Sequence, residues 1–284
     1  MKLTDYLRLM RVPQWYKNLV VYLALFFSGH LLIKSDFLLA TGAFLALSLV
    51  SSAGYILNDL LDLKKDQRHP EKKIRPLTSG KILPVSAVIL LILLLVGGLS
   101  FGLFLGKIFF YFLLALFLLT LLYSLFLKKI IFADILTIAA LFVLRAVSGA
   151  YLIKVWVSPW LILCPFFLSL FLSVGKRQGD LLFLQEKAAA TRQVLQEYDL
   201  KNTSSLLTIT TTLLIISYAL YSFLSENQAL LLTLPLALYV IFQFSYLINR
   251  GSEISRHPER IIKDKKILLG ILLWLIITFI IVYL

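Results

Sequence analysis

Cysteine is nearly absent from the chain. The single thiol, Cys164, lies inside an apolar run, so no disulfide forms within the chain and nothing favours a disulfide-stapled extracellular fold. Apolar surroundings disfavour the thiolate, so packing rather than reactivity is expected of it. Acidic residues are also few: 15 Asp and Glu face 28 Lys and Arg, a formal net charge of +13. No secretory signal is recognisable, because the first apolar run starts near Leu19 and no small-residue cleavage site follows it. That run is expected to be a span.

What the chain has in excess is apolar length. Hydrophobic residues make up 60% and the mean hydropathy is +0.90, values that a soluble domain of 284 residues would have no interior to absorb. Runs of about 20 apolar residues recur throughout, as a hydrocarbon layer about 30 Å thick requires. The expected fold is all-α, with nine spans at 19–34, 37–57, 83–102, 108–127, 131–151, 158–174, 203–223, 229–248 and 266–284. A single transmembrane domain is expected over 1–284, opened by an interfacial segment at 1–18. There Leu3, Leu7 and Met10 share a side with Tyr6, and Trp15 and Tyr16 suit the headgroup level.

Basic residues set the orientation. With these spans, 24 of the 28 Lys and Arg fall on one side; only Lys34, Lys107 and Lys154 fall on the other, and Arg145 lies within a span. The positive-inside rule therefore puts the amino terminus in the cytoplasm and the carboxyl terminus outside, in the cell inner membrane. Most of the net charge is topological, and the remainder suits anionic lipid heads or phosphates, so no nucleic acid partner is expected. Loops on the outer side are short. The cytoplasmic connections 58–82, 175–202 and 249–265 are long, and long ordered loops on one face are where chemistry is usually carried.

The first of them begins with Asn58-Asp59-x-x-Asp62-x-x-x-Asp66. If the preceding helix continues, Asn58, Asp62 and Asp66 form one face, with Asp59 beside it. Three carboxylates this close repel one another unless a cation sits among them, and hard oxygen donors suit Mg²⁺ shared with substrate phosphates. The plainer alternative is a solvated acidic turn balanced by Lys64, Lys65 and Arg68. Downstream, Lys72, Lys73 and Arg75 offer charge to phosphate oxygens, Arg75 with bidentate geometry.

NDxxDxxxD followed by RPLTSG resembles the first aspartate-rich motif of the UbiA superfamily of intramembrane prenyltransferases. The resemblance implies nine transmembrane helices around a central cavity with cytoplasmic cap elements. It also implies catalytic Asp59, Asp62 and Asp66, with Asn58 joining them as metal ligand. Ordinary members carry a second aspartate-rich motif after the sixth span. Here that stretch reads Ser173-Val174-Gly175-Lys176-Arg177-Gln178-Gly179-Asp180, with two cations and one carboxylate.

That departure, with RVPQWYKN at 11–18, LRAVSGAY at 144–151 and GKRQGDLLFL at 175–184, is similar to the decaprenyl-phosphate phosphoribosyltransferase branch. The branch implies Mg²⁺-dependent transfer of 5-phosphoribose from phosphoribosyl diphosphate to a polyprenyl phosphate. Substrate contacts are then expected at Lys17, Arg75, Tyr123, Lys128, Arg145, Lys176, Arg177 and Asp180. The alternative within the superfamily is an aromatic prenyltransferase of quinone or haem biosynthesis using a prenyl diphosphate. A transporter of phosphorylated lipids or small anions is the alternative outside it, although no paired half-repeats appear.

Other features stay open at this level. Lys128 reads equally as a phosphate ligand and as an interfacial anchor. Asp134 and Arg145 are eleven residues apart on one helical face, too far for direct contact, so Arg145 is expected to face a substrate cavity, with a helix–helix contact as the alternative. The near-repeat Arg68-His69-Pro70-Glu71 and Arg256-His257-Pro258-Glu259 reads as two helix starts. Residues 185–199 suit a polar helix, either a lid or a passive surface element. Lipid chain length and oligomeric state have no motif.

Overall fold

A computed structural model describes residues 3–67, 71–184, 193–225 and 227–284; no β-strand occurs among them. Eight of their helices are long and apolar enough to cross a membrane. The chain divides into two compact units, one ending at Val157 and one starting at Ser158.

The first unit opens with α1 (Leu3–Leu9), a 3-10 helix (Val12–Val21) and α2 (Tyr22–Phe27). The run expected as a single span over 19–34 is therefore split between two short helices, neither of span length. Polar side chains tie this segment sideways to α3 (Lys34–Leu61): Trp15 Nε1 donates to Ser52 Oγ and Asn18 Nδ2 to Ser48 Oγ, both at 3.0 Å. Trp15, expected at headgroup level, thus spends its N–H on α3. In α1, Leu9 is buried, whereas Leu3 and Leu7 are exposed.

Beyond α3 come the one-turn α4 (Leu63–Asp66), then α5 (Pro84–Leu105), α6 (Lys107–Leu125) and α7 (Ala133–Leu152). Small residues run along α3, with Ala40, Gly42, Ala43, Ala46, Ala53 and Gly54 buried, so neighbouring helices approach closely. A Cβ at Gly98 of α5 would stand 2.8 Å from Val50 Cγ2, and one at Gly149 of α7 would strike the Val21 carbonyl. Most of the apolar length of α3 and α7 is buried, whereas α5 and α6 leave most of theirs exposed, as lipid-facing spans do.

Two clusters hold this unit. One joins Val21, Ala46, Leu47, Val50, Phe109, Leu113, Leu116 and Leu141. The other joins Leu9, Ala53, Ile56, Leu77, Ile82 and Ala87, pinning both α1 and the loop before α5 beside the end of α3. That loop carries Arg75, so its two buried anchors set where the guanidinium can reach.

The second unit holds α8 (Pro159–Leu184), α9 (Leu200–Leu224), α10 (Leu234–Asn249), α11 (Glu253–Arg256) and α12 (Lys265–Tyr283). Here the expected loop over 175–202 is corrected: α8 runs unbroken to Leu184, so Lys176, Arg177 and Asp180 are helical. Its two glycines, Gly175 and Gly179, are packing positions. A Cβ at Gly175 would strike Ile248 of α10, and one at Gly179 would strike Ser255 of α11. Phe171 and Phe244 meet nearby, with ring centroids 5.7 Å apart.

Within the expected polar helix over 185–199, residues 185–192 lie outside the described residues and Gln193–Gln196 forms a 3-10 turn. Pro258 opens a 3-10 helix (Pro258–Lys263), the helix start expected of that copy of the near-repeat. In the other copy, Arg68, His69 and Pro70 lie outside the described residues.

Candidate active site

The acidic element does not continue as one helix. α3 ends at Leu61, Asp62 caps it with φ −96° and ψ 5°, and α4 then turns Asp66 back. The break replaces the expected single face by two oxygen pairs, each closed around a side-chain cation. Lys128 Nζ donates to Asn58 Oδ1 at 3.0 Å and to Asp62 Oδ2 at 2.7 Å. Arg75 Nη1 donates to Asp59 Oδ1 at 2.9 Å and to Asp66 Oδ2 at 2.5 Å. Arg11 Nη2 pairs with the same Asp59 Oδ1, and Lys72 Nζ stands 3.7 Å from Asp66 Oδ1.

These cations come from three separate parts of the unit. Arg11 precedes the first 3-10 helix in the left-handed region (φ 52°, ψ 46°) and lies over the Tyr55 ring at 5.2 Å. Lys72 and Arg75 come from the pinned loop, and Lys128 from a 3-10 turn after α6. Lys64 and Lys65, the near-neighbours that would balance a solvated acidic turn, are exposed. The carboxylates are instead buried: Asp59 is 2% and Asp66 3% exposed.

Burial sets the electrostatics. It raises the Asp66 carboxyl above its usual range; Arg75 and Lys72 pull it down, and Asp59 and Asp62 add to the rise. Burial likewise lowers the Arg75 guanidinium, helped by the like charge of Arg11 and opposed by Asp59 and Asp66.

Arg145 is a correction. Rather than facing a substrate cavity, it is buried and bonded within the unit: Nε donates to Asn18 Oδ1 at 2.8 Å, Nη1 to the Leu141 carbonyl at 2.7 Å and Nη2 to Ser51 Oγ at 3.4 Å. An ion held at membrane depth is costly unless its donors are satisfied, and three of them find oxygen here. These bonds tie α7 to Asn18 of the 3-10 segment and to Ser51 of α3. Lys17 sits 6.0 Å from the Tyr16 ring, and Tyr123 is half-buried near the end of α6.

In the second unit, Arg177 is 1% exposed, its Nη1 is 3.8 Å from Asp180 Oδ2, and Lys176 is half-buried. Nearby Gln178 Nε2 donates to Asn249 Oδ1 at 2.9 Å, tying α8 to α10. Arg256 lies over the Phe183 ring at 3.6 Å, beside the Gly179–Ser255 contact.

Arg11 is the residue that sequence reasoning left without a role. It stands 48 positions from its carboxylate, and only its place in RVPQWYKN marked the segment. Asn18 was missed for the same reason, since Arg145 lies 127 positions away.

Oxygen donors of this kind suit a divalent metal, and each pair already holds a cation between its oxygens. Among the described residues no three His, Cys, Asp or Glu converge on one point. Asn58, Asp59, Asp62 and Asp66 offer hard oxygen donors, the type Mg²⁺ takes where it also binds phosphate.

The fold and site define a multi-pass, all-helical membrane protein with a buried carboxylate–cation cluster at the end of a span. The model of the UbiA prenyltransferase family matches residues 19–259, and the chain belongs to that family. It is a transferase.

The decaprenyl-phosphate phosphoribosyltransferase of Mycolicibacterium smegmatis is 26% identical, with 95% of this chain and 89% of the relative covered. That of Corynebacterium glutamicum is 29% identical over 78% of this chain and 68% of the relative. Among solved structures, a UbiA homolog from Archaeoglobus fulgidus bound to DMAPP and Mg²⁺ superimposes with a TM-score of 0.74 at 20% identity, covering 98% of this chain and 99% of that one. The same homolog bound to GPP and Mg²⁺ gives 0.73.

Proposed function

We propose that the protein transfers 5-phosphoribose from phosphoribosyl diphosphate to a polyprenyl phosphate, giving polyprenyl-phosphoryl-5-phosphoribose and pyrophosphate. The observation that carries this reading is the paired cluster of Asn58, Asp59, Asp62 and Asp66 with Arg11, Arg75 and Lys128. It is supported by the similarity, over most of the length, to relatives named for that reaction.

Asn58, Asp59, Asp62 and Asp66 would hold Mg²⁺. Bound there, the ion would neutralise charge on the diphosphate leaving group. Arg75 and Lys128 donate to the remaining diphosphate oxygens, with Lys17 and Tyr123 as further substrate contacts. In the second unit, Lys176 and Arg177 take phosphate groups, and Asp180 orients Arg177 from 3.8 Å.

The chemistry needs little else from the side chains. The C1–O bond to pyrophosphate breaks with oxocarbenium character, and an oxygen of the lipid phosphate forms the new bond to C1. That phosphate is anionic near neutral pH, so no general base is required. The residues have to neutralise the leaving group, hold two anions together and exclude water. The site lies on the cytoplasmic side of the inner membrane, an orientation supported by the bias of Lys and Arg.

The test offers purified protein, Mg²⁺ and polyprenyl phosphate with labelled phosphoribosyl diphosphate. Labelled lipid is the expected product. No labelled lipid, with turnover of a prenyl diphosphate and an aromatic acid instead, would overturn the reading in favour of aromatic prenyl transfer.

A further inference from the structure

In the second unit, α10 and α12 pack closely at Gly270, where a Cβ would stand 2.8 Å from Val240 Cγ2 and 3.2 Å from Tyr239 Cδ1. One turn nearer the start of α12, a groove of about 360 Å³ lies between them. Tyr239, Phe242, Gln243 and Tyr246 line it from α10, and Lys266 lines it from α12. The spacing of the four puts them on a single helical face. Most of the apolar length of both helices is exposed, so the groove opens toward lipid.

Its chemistry is graded along that face. Tyr239 and Phe242 offer exposed rings to acyl chains. Gln243 then places an amide beside them, and Tyr246 follows one turn on. At that end the Arg250 guanidinium lies over the Tyr246 ring at 4.7 Å, and both Arg250 and Lys266 are exposed. The carboxylates of the adjoining connection are engaged elsewhere. Asp264 Oδ1 accepts from the Lys266 and Ile267 backbone N–H groups at 3.0 Å, Glu253 pairs with Arg260, and Glu259 Oε1 is 3.2 Å from His257 Nδ1.

We infer that this groove binds an anionic glycerophospholipid, with its phosphate at Arg250 and Lys266, an ester carbonyl on Gln243 and an acyl chain along Tyr239 and Phe242. Apolar surface alone would take any lipid tail. Two cations at headgroup level select negative charge, and Lys266 reaches that level along an apolar stem. The amide selects further. An amide facing lipid is costly without a hydrogen-bond partner, and a glycerophospholipid carries ester carbonyls just below its phosphate. An isoprenoid phosphate has no carbonyl to offer there. The groove belongs to the second unit alone, so the inference needs neither the proposed reaction nor its metal.

The experiment is native mass spectrometry of the purified full chain in mild detergent, with phosphatidylglycerol or phosphatidylcholine of the same acyl chains added. Phosphatidylglycerol should be retained about tenfold or more over phosphatidylcholine. Lys266→Gln and Arg250→Gln should each lower its retention about fivefold. Lys107→Gln, which removes the same charge at the start of α6, should leave it unchanged. Diether phosphatidylglycerol, which lacks the ester carbonyls, should be held about threefold less, and Gln243→Leu should remove that difference.

Equal retention of the two phospholipids by the unsubstituted chain overturns the inference. So does phosphatidylglycerol retention that Lys266→Gln and Arg250→Gln leave unchanged, because the lipid then sits elsewhere. Equal retention of the ester and diether lipids removes the contact to Gln243 and the choice of a glycerophospholipid with it. Polyprenyl phosphate that displaces phosphatidylglycerol at equal concentration overturns that choice too.

Discussion

The ends of α3 and α8 solve opposite problems. α3 stops at Leu61, and the break at Asp62 lets three carboxylates within eight residues turn toward cations from distant segments. α8 runs straight through its charged stretch, where Lys176 and Arg177 stand with one nearby carboxylate. Bringing Asp59 and Asp66 onto one cation needs backbone curvature, because seven residues of straight helix would set them about 10 Å apart along the axis. A pair of cations proposed to meet phosphate needs rigidity instead. Close packing at Gly175 and Gly179 supplies it by seating α8 against Ile248 of α10 and Ser255 of α11.

The sharpest way to break this contrast is at the curved end. Asp62→Ala should lower turnover about a thousandfold or more, the scale at which a preorganised electrostatic contact is lost, while the thermal unfolding curve stays near that of the parent. Near-normal turnover would mean the cluster does not hold the metal.

Arg75→Gln comes next, with an expected loss of about tenfold to a hundredfold in kcat/KM for the diphosphate donor, since one charge-assisted contact disappears. Steady-state kinetics with the donor varied would show it. At the straight end, Arg177→Lys keeps the charge but loses the planar fork, and should raise the donor or acceptor KM by about tenfold or less. Its Mn²⁺ retention with pyrophosphate should match the parent, and a loss there would erase the distinction between the two ends.

The smallest effect concerns packing. Gly149→Ala drives a methyl into the Val21 carbonyl and should cost about 1–3 kcal/mol of stability, seen as a lower Tm. Gly97→Ala, whose added Cβ meets nothing within 4 Å, should leave Tm unchanged or slightly raised.

What could be read from the sequence divides along the same lines. Apolar runs about 20 residues long announce spans because hydrocarbon thickness demands that length, and eight long helices lie close to where those runs were placed. The first run, 19–34, is instead shared between the end of the 3-10 helix and α2. Asn58 and Asp62 were readable as neighbours, being four residues apart, and they share Lys128.

Distance in sequence hid the rest. The convergence of Arg11 and Arg75 on Asp59 was hidden, because α1 and the loop before α5 meet in a cluster that includes Leu9, Leu77 and Ile82, residues remote in sequence. Arg145 misled for a related reason. A lone charge in a span points to function or to a buried partner, and its partner, Asn18, is equally remote. The loop expected over 175–202 gave way because α8 continues to Leu184, seated through Gly175 on Ile248 and through Gly179 on Ser255, contacts remote in sequence.

The most direct measurement gives the purified full chain both donors at once. Labelled phosphoribosyl diphosphate with polyprenyl phosphate competes against a prenyl diphosphate with an aromatic acid, in the presence of Mg²⁺, and the products are separated by mass. Phosphoribosylated lipid that disappears in Asp62→Ala is the predicted result. Prenylated aromatic acid as the product, with the lipid phosphate untouched, would contradict the account.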